Sequence, residues 1–146
     1  MYQKVLVPLD GSKLAECALS EVRHLAKGGF VGEVLLISVL ETHSTPFTES
    51  IDVSAFRWAR REKSHIYLDF IRRSLLSEGI QAKAEVLEGN PVRAIVSYTA
   101  DNAVDLIIIA THGYTGMKQV MLGSVALRVL HDARVPVLLI RPEECG

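Results

Sequence analysis

The strongest strand signal in the sequence is the stretch Asp105-Leu106-Ile107-Ile108-Ile109-Ala110. Its apolar core is unbroken rather than alternating, which is typical of a strand covered on both faces, as in a parallel sheet. A glycine-bearing loop follows from Thr111 to Leu122, and Gly123-Ser124 then opens a helical pattern. We therefore expect a buried strand that leads through a loop into the N-terminus of a helix.

Strand and helix patterns alternate along the rest of the chain as well. Helical patterns begin near Ser12, Ser54, Pro91 and Gly123, and Gly28-Gly29 ends the first of them. Strands separated by helices must run parallel, with right-handed crossovers. We therefore predict an α/β fold, a doubly wound five-stranded parallel sheet of Rossmann-like type with helices on both faces. The predicted strands are Tyr2–Leu9, Glu33–Leu40, Ala82–Leu87 (an edge strand), Asp105–Ala110 and Pro136–Ile140.

The bulk composition narrows the class of protein. A length of 146 residues fits one domain, so we expect a single nucleotide-binding unit over residues 1–146. A net charge of −1 argues against a nucleic-acid partner, which usually requires a basic face. The basic cluster Arg57, Arg60, Arg61 and Lys63 is interpreted as the solvated face of a helix. No apolar stretch approaches the roughly 20 residues of a membrane span, so no membrane partner is expected.

Cysteine usage and the N-terminus predict a cytoplasmic location. Cys17 and Cys145 have no metal-ligand spacing with the histidines, and both are interpreted as free thiols in a reducing compartment. A helical wheel places Cys17 opposite the apolar face of its helix. The chain starts directly with a strand pattern rather than a charged and then apolar leader.

Two predicted strand ends look specialised for a ligand. Ligands of doubly wound sheets bind beyond the carboxyl ends of the strands, at the topological switch point. Asp10-Gly11-Ser12 follows the first strand, and Gly123-Ser124 opens the helix after the fourth. Free N–H groups and the positive dipole of a helix N-terminus favour an anion such as phosphate. Ser124 can donate to that anion or simply cap the helix, and the residues alone leave both readings open.

Familiar phosphate and nucleophile motifs are missing. Gly113, Gly116 and Lys118 do not have the spacing of a P-loop. No G-x-G-x-x-G follows the first strand, and no G-x-S-x-G elbow occurs. The sequence therefore points away from P-loop enzymes, dinucleotide enzymes of the usual fingerprint and α/β-hydrolases.

Four motifs in order resemble the universal stress protein family over essentially the whole chain. Ala110 and Gly113, nine further residues and Gly123-Ser124 resemble the family's ATP-binding signature, G-x-x-G, nine residues, G-[ST]. The other three matching motifs are Val5-Leu6-Val7-Pro8-Leu9-Asp10-Gly11-Ser12, Gly89-Asn90-Pro91 and Pro136-Val137-Leu138-Leu139-Ile140.

The resemblance implies a role for each matching residue. Asp10 would hydrogen-bond ribose hydroxyls or help hold a metal ion, although a turn aspartate that bonds nearby N–H groups is the alternative. Val39 matches the position whose backbone meets the adenine edge. Ala110 replaces the first glycine of the signature, and its methyl group would tighten the pocket. His112 stands where arginine is frequent, which implies lower and pH-sensitive triphosphate affinity, although a solvent-facing loop histidine is the equal alternative. The full set of predicted site residues is Pro8, Leu9, Asp10, Val39, Ile109, Ala110, His112, Gly113, Gly123, Ser124 and Val125.

The resemblance also implies a function. It predicts an ATP-binding regulatory protein of the stress response, with Mg²⁺ or Mn²⁺ as candidate companions of the nucleotide and with room for a protein partner. It further implies a homodimer joined through the fifth strand, Pro136 to Ile140. A slow or partner-dependent ATPase or phosphotransferase is the alternative. A phosphoacceptor receiver domain ranks third, because the third strand ends in Leu87-Glu88-Gly89 without an acceptor aspartate.

Overall fold

All five predicted strands form, and they pair in parallel in one sheet. The structure is a computed structural model that describes residues 1–42, 51–111 and 123–141. Its strands run in the order β3-β2-β1-β4-β5, so the predicted edge position of β3 is confirmed. Their bounds are β1 Tyr2–Pro8, β2 Val31–Leu40, β3 Ala82–Glu88, β4 Leu106–Ala110 and β5 Val137–Ile140.

Helices occupy each predicted connection between strands. Their bounds are α1 Lys13–Glu16, α2 Ala18–Lys27, α3 Ile51–Ser77, α4 Pro91–Asp101 and α5 Ser124–Asp132. Ser12 caps α1, since its side chain accepts a hydrogen bond from the Ala15 N–H, as the sequence predicts. Helix α3 begins three residues earlier than expected, at Ile51 rather than Ser54. Much of the loop predicted between β2 and α3, at 43–50, lies outside the described residues.

The sheet has its switch point between β1 and β4. From β1 the chain moves outward through β2 to β3, and it then returns to the other side of β1 for β4 and β5. The Asp105 carboxylate joins the starts of β1 and β4, because it accepts from the backbone N–H groups of Gln3 (2.8 Å) and Lys4 (2.9 Å). Beyond the opposite ends of these strands, the helices that follow lie on different faces of the sheet, α1 and α2 after β1 and α5 after β4.

Two hydrophobic layers, one on each face of the sheet, hold the helices. Val5 and Val7 of β1 face the layer that packs against α1, α2 and α3. Leu6 faces the other layer, which packs against α4 and α5. Ile107 and Ile108 of β4 are completely buried, one in each layer. The unbroken apolar run of β4 is thus explained by cover on both faces.

Cys17 corrects the sequence interpretation. It lies at the break between α1 and α2 with only 2% of its surface exposed, and it is disulfide-bonded. The predicted free, outward-facing thiol is wrong, because the side chain is buried and its sulfur takes part in a disulfide. The other cysteine, Cys145, lies outside the described residues.

No helix within residues 1–42, 51–111 and 123–141 combines the length and apolar character needed to cross a membrane.

Candidate functional site

A large cavity opens at the carboxyl ends of β1, β2 and β4. Its volume is about 810 Å³, within the range of small-molecule sites. Strand ends form its floor, and residues of α3, α4 and α5 form its walls. The cavity therefore lies at the switch point of the sheet, where doubly wound folds bind their ligands.

Nine of the predicted site residues line this cavity together. They come from segments far apart in the sequence, namely the ends of β1, β2 and β4 and the start of α5. His112 and Gly113 lie outside the described residues, so their positions remain predictions. The nine are Pro8, Leu9, Asp10, Val39, Ile109, Ala110, Gly123, Ser124 and Val125.

Asp10 is an exposed residue at the rim, just after β1. Its Oδ1 accepts a hydrogen bond of 2.9 Å from the Ser12 N–H, which is the turn arrangement weighed as the alternative to a ligand role. Gly11 between them has φ +88°, a left-handed conformation that glycine adopts without steric cost. The turn fixes one carboxylate oxygen of Asp10 beside the cavity, where the residue also forms part of the lining.

The N-terminus of α5 is a wall of the cavity with no side-chain cap. Gly123 is the N-cap residue, and its own N–H donates to the Thr111 carbonyl oxygen at the end of β4. Ser124 is therefore the first helical residue rather than the cap, and within the described residues no side chain caps this helix. The first-turn N–H groups of a helix have no intrahelical acceptor and carry its positive dipole. This wall suits an anion.

Helix α3 supplies a wall that the sequence interpretation missed. Arg60, Lys63, Ser64 and Tyr67 all line the cavity. Their spacing of three and four residues places them along one face of the helix. Arg60 and Lys63, which the sequence interpretation assigned to a solvated helix face, also line the cavity; Arg60 is half-buried and Lys63 is exposed. The helical spacing was a visible signal, but the sequence alone did not show which face looked toward the sheet ends.

Tyr67 ties this wall to the segment that follows β1. Its hydroxyl donates a hydrogen bond of 2.9 Å to Glu16 Oε2 of α1. Burial, together with this bond to a carboxylate, raises the pKa of Tyr67 well above its ordinary value of 10.0, so the phenol stays neutral at physiological pH. The bond holds α3 against α1 beside the cavity.

Among the described residues, the carboxylates that line the cavity are those of Asp10 and Glu41. Glu41, just past the end of β2, is a second acidic residue that the sequence interpretation did not place with Asp10. Across residues 1–42, 51–111 and 123–141, no group of three or more His, Cys, Asp or Glu side chains is arranged to hold a metal ion.

The cavity combines surfaces of different chemistry. Apolar side chains such as Leu9, Val39 and Ile109 come from the strand ends, whereas Arg60, Lys63 and the start of α5 provide positive potential. Such a site suits a ligand with an apolar ring at one end and an anionic group at the other.

Sequence comparison matches residues 1–141 to the universal stress protein family. Universal stress protein MJ0531 of Methanocaldococcus jannaschii is 31% identical over 144 residues, which cover 97% of this chain and 83% of the relative.

Solved structures give the same result. The structure of MJ0577, from the same organism, superposes with a TM-score of 0.82 at 30% identity. The match covers 97% of this chain and 96% of the MJ0577 chain. Two more distant structures share the fold. A universal stress protein in complex with cAMP superposes with a TM-score of 0.69 at 19% identity, and the match covers 95% of this chain and 97% of the other. An Arabidopsis thaliana member of the family with AMP bound has a TM-score of 0.68 at 18% identity, and the match covers 95% of this chain and 91% of the other. The chain described here belongs to the universal stress protein family.

Proposed function

We propose that this protein binds ATP at the carboxyl ends of β1 and β4 and acts as a nucleotide-dependent regulator in the stress response. The observation that carries the proposal is the cavity itself, which joins apolar strand ends to an uncapped helix N-terminus and two cationic side chains. The cAMP and AMP complexes of the two distant family structures support a nucleotide as the ligand class.

Each part of the nucleotide has a proposed place. Val39 meets the adenine edge, Asp10 bonds the ribose, and Gly123, Ser124 and Val125 hold phosphates at the start of α5. Pro8, Leu9, Ile109 and Ala110 border the nucleoside, and His112 and Gly113 complete the phosphate loop. The carboxylates of Asp10 and Glu41 are the oxygen ligands that Mg²⁺ or Mn²⁺ would prefer if one accompanies the phosphates.

The direct test is to identify what the protein carries. Mass spectrometry of the small molecules released on denaturation should show an adenine nucleotide, and calorimetric titration of the emptied protein should show saturable ATP binding. AMP, cAMP and GTP titrated in parallel measure the preference. An emptied, folded protein that binds none of the four would refute the proposal.

We expect the isolated protein to hydrolyse ATP far more slowly than about 1 per second, the lower end of ordinary enzymes. Efficient phosphoryl transfer needs a positioned base or water besides its metal and cationic clamp. Among the described residues, the carboxylates that line the cavity are Asp10, which already accepts the Ser12 N–H, and Glu41, which also has a partner, so neither stands ready as that base. A phosphate-release assay with Mg²⁺ or Mn²⁺ measures the rate. Turnover at or above about 1 per second would favour the ATPase alternative.

We also propose that the chain is a single domain, works in the cytoplasm and pairs as a homodimer through β5. That strand lies at the edge of the sheet, opposite β3, and all four of its residues are only partly buried. An apolar edge strand offers unpaired backbone groups to another chain.

Sedimentation equilibrium at tens of micromolar protein should therefore give the mass of two chains. Because β5 residues would be buried in the pair, amide hydrogen exchange of 137–140 should slow as the protein concentration rises from the monomeric to the dimeric range. A single-chain mass at the highest concentration would overturn the dimer.

A further inference from the structure

The cationic side chains of α3 from residue 60 onward differ sharply in their partners. Arg72 and Arg73 both pair with Asp69, at 2.6 and 2.9 Å, and Arg61 pairs with Glu88 at 3.6 Å. No ion pair joins Arg60 or Lys63 to any residue in the described part of the chain. These two are also the members of the group that line the cavity. Among the described residues, the α3 cations outside the cavity therefore have carboxylate partners, whereas the two that line it have none.

Arg60 is placed for an anion rather than for solvent. Its side chain is partly buried, and its guanidinium lies 5.9 Å from the centroid of the Phe56 ring one turn earlier, within cation–π range. A contact with a ring leaves the positive charge of the guanidinium in place. A partly desolvated cation without a carboxylate gains most from a charged oxygen, and guanidinium binds phosphate through paired hydrogen bonds.

Lys63 extends the same positive surface. It follows Arg60 by three residues, so the two side chains share one face of the helix. In the part of the chain that the structure describes, no ion pair joins the cavity carboxylates Asp10 and Glu41 to Arg60 or Lys63, and both carboxylates have other interactions. The cavity thus has two positive walls, the start of α5 and this face of α3.

We propose that Arg60 and Lys63 bind the terminal phosphates of the nucleotide and make the site selective for di- and triphosphates over monophosphates. The inference rests on the proposed nucleotide binding. One phosphate at the start of α5 leaves the α3 wall without an anion in a cavity of about 810 Å³. A longer phosphate chain supplies charged oxygens to both walls. The preference for di- and triphosphates over monophosphates then depends on the number of phosphates and not on how the nucleoside fits the cavity.

The test is a titration of ATP, AMP and adenosine into the parent protein, Arg60→Gln, Lys63→Gln and the double variant. Each single change should weaken ATP binding roughly ten- to hundredfold, the range for a hydrogen bond to a charged group. Adenosine affinity should not change, and AMP affinity should change little. The ATP affinity of the double variant should also depend less steeply on salt, because fewer charges are neutralised on binding. Arg61→Gln is the matched control, since it removes a neighbouring cation outside the cavity and should leave ATP affinity at the parent value.

The outcomes separate the two proposals. If the parent binds ATP and the folded double variant binds it equally well, the α3 wall has no phosphate role, although the proposed function stands. Equal losses for ATP and adenosine would also overturn the inference, because the side chains would then act on the nucleoside or on the shape of the site. If the parent binds no nucleotide, both proposals fail. Denaturation curves for every variant identify any loss caused by unfolding.

Discussion

We expect Gly123→Val to abolish ATP binding and Ser124→Ala to weaken it only roughly ten- to hundredfold. Both residues lie at the start of α5, the proposed phosphate wall of the cavity. Gly123 is the N-cap of α5 and lines the cavity. The branched side chain of valine at the mouth of the helix would occupy the space that a phosphate oxygen needs. The valine side chain would obstruct all the first-turn N–H groups of α5 at once, whereas the loss of a polar side chain removes one hydrogen bond.

Ser124 contributes less because the backbone N–H groups survive its loss. Its hydroxyl can offer one hydrogen bond to a charged acceptor, worth about 1.5–3 kcal/mol. The structure also separates this role from capping. Gly123 occupies the cap position and Ser124 the first helical position, so Ser124→Ala should not show the loss of about 0.5–2 kcal/mol that follows removal of a capping side chain.

Calorimetric titration with ATP, read beside a denaturation curve for each variant, tests both statements. Lost affinity with unchanged stability places the residue at the ligand. Lost stability with unchanged affinity would return Ser124 to a structural role. If both folded variants bind ATP like the parent, the phosphate wall is misassigned and the nucleotide, if bound, lies elsewhere in the cavity.

Leu36→Ala should lower the free energy of unfolding by about 2–5 kcal/mol. Leu36 lies in β2, is 0% exposed, and belongs to the layer between the sheet and helices α1 to α3. Truncation removes apolar contacts and leaves a cavity that a sheet hydrogen-bonded on both sides of β2 cannot close. The effect is large because the whole stability of a domain is only about 5–15 kcal/mol.

Urea denaturation followed by circular dichroism measures this loss. Lys83→Ala is a suitable control, because Lys83 sits on the neighbouring strand β3, is exposed, and makes only a surface ion pair with Glu33 at 3.5 Å. The control should change stability by no more than about 0.5 kcal/mol. A loss below about 1 kcal/mol for Leu36→Ala would show that this layer is not tightly packed.

The sequence predicted the fold well because strands, caps and helix starts are each determined by a few neighbouring residues. The continuous apolar run of β4, the Ser12 cap and the proline that begins α4 each reflect physics within a few residues. The sequence did not reveal the break at Cys17. A helix that stops and restarts at a residue with helical backbone angles, without a glycine or proline, leaves no compositional mark.

The candidate site was predictable where it is built from strand ends and loops. Asp10 comes shortly after β1, and Gly123 directly precedes α5. Parallel topology alone therefore brings the two residues to one edge of the sheet. Arg60, Lys63 and Glu41 were missed for a different reason. Their place in the cavity depends on how far α3 extends beyond the sheet and on which face it turns inward. Charged residues at helical spacing look the same in sequence whether they face water or a ligand.

The adjacency of β1 and β4 has a consequence for synthesis of the protein. The Asp105 carboxylate that joins their starts lies 102 residues after Gln3. At the ribosomal rate of about 5–20 residues per second, β1 waits roughly 5–20 seconds for this neighbour to emerge. Until then one long edge of β1 is open to non-native pairing, and the start of α5 is made later still. The cavity is therefore complete only after α5 has been synthesised, and the proposed nucleotide would bind only chains that have reached that point.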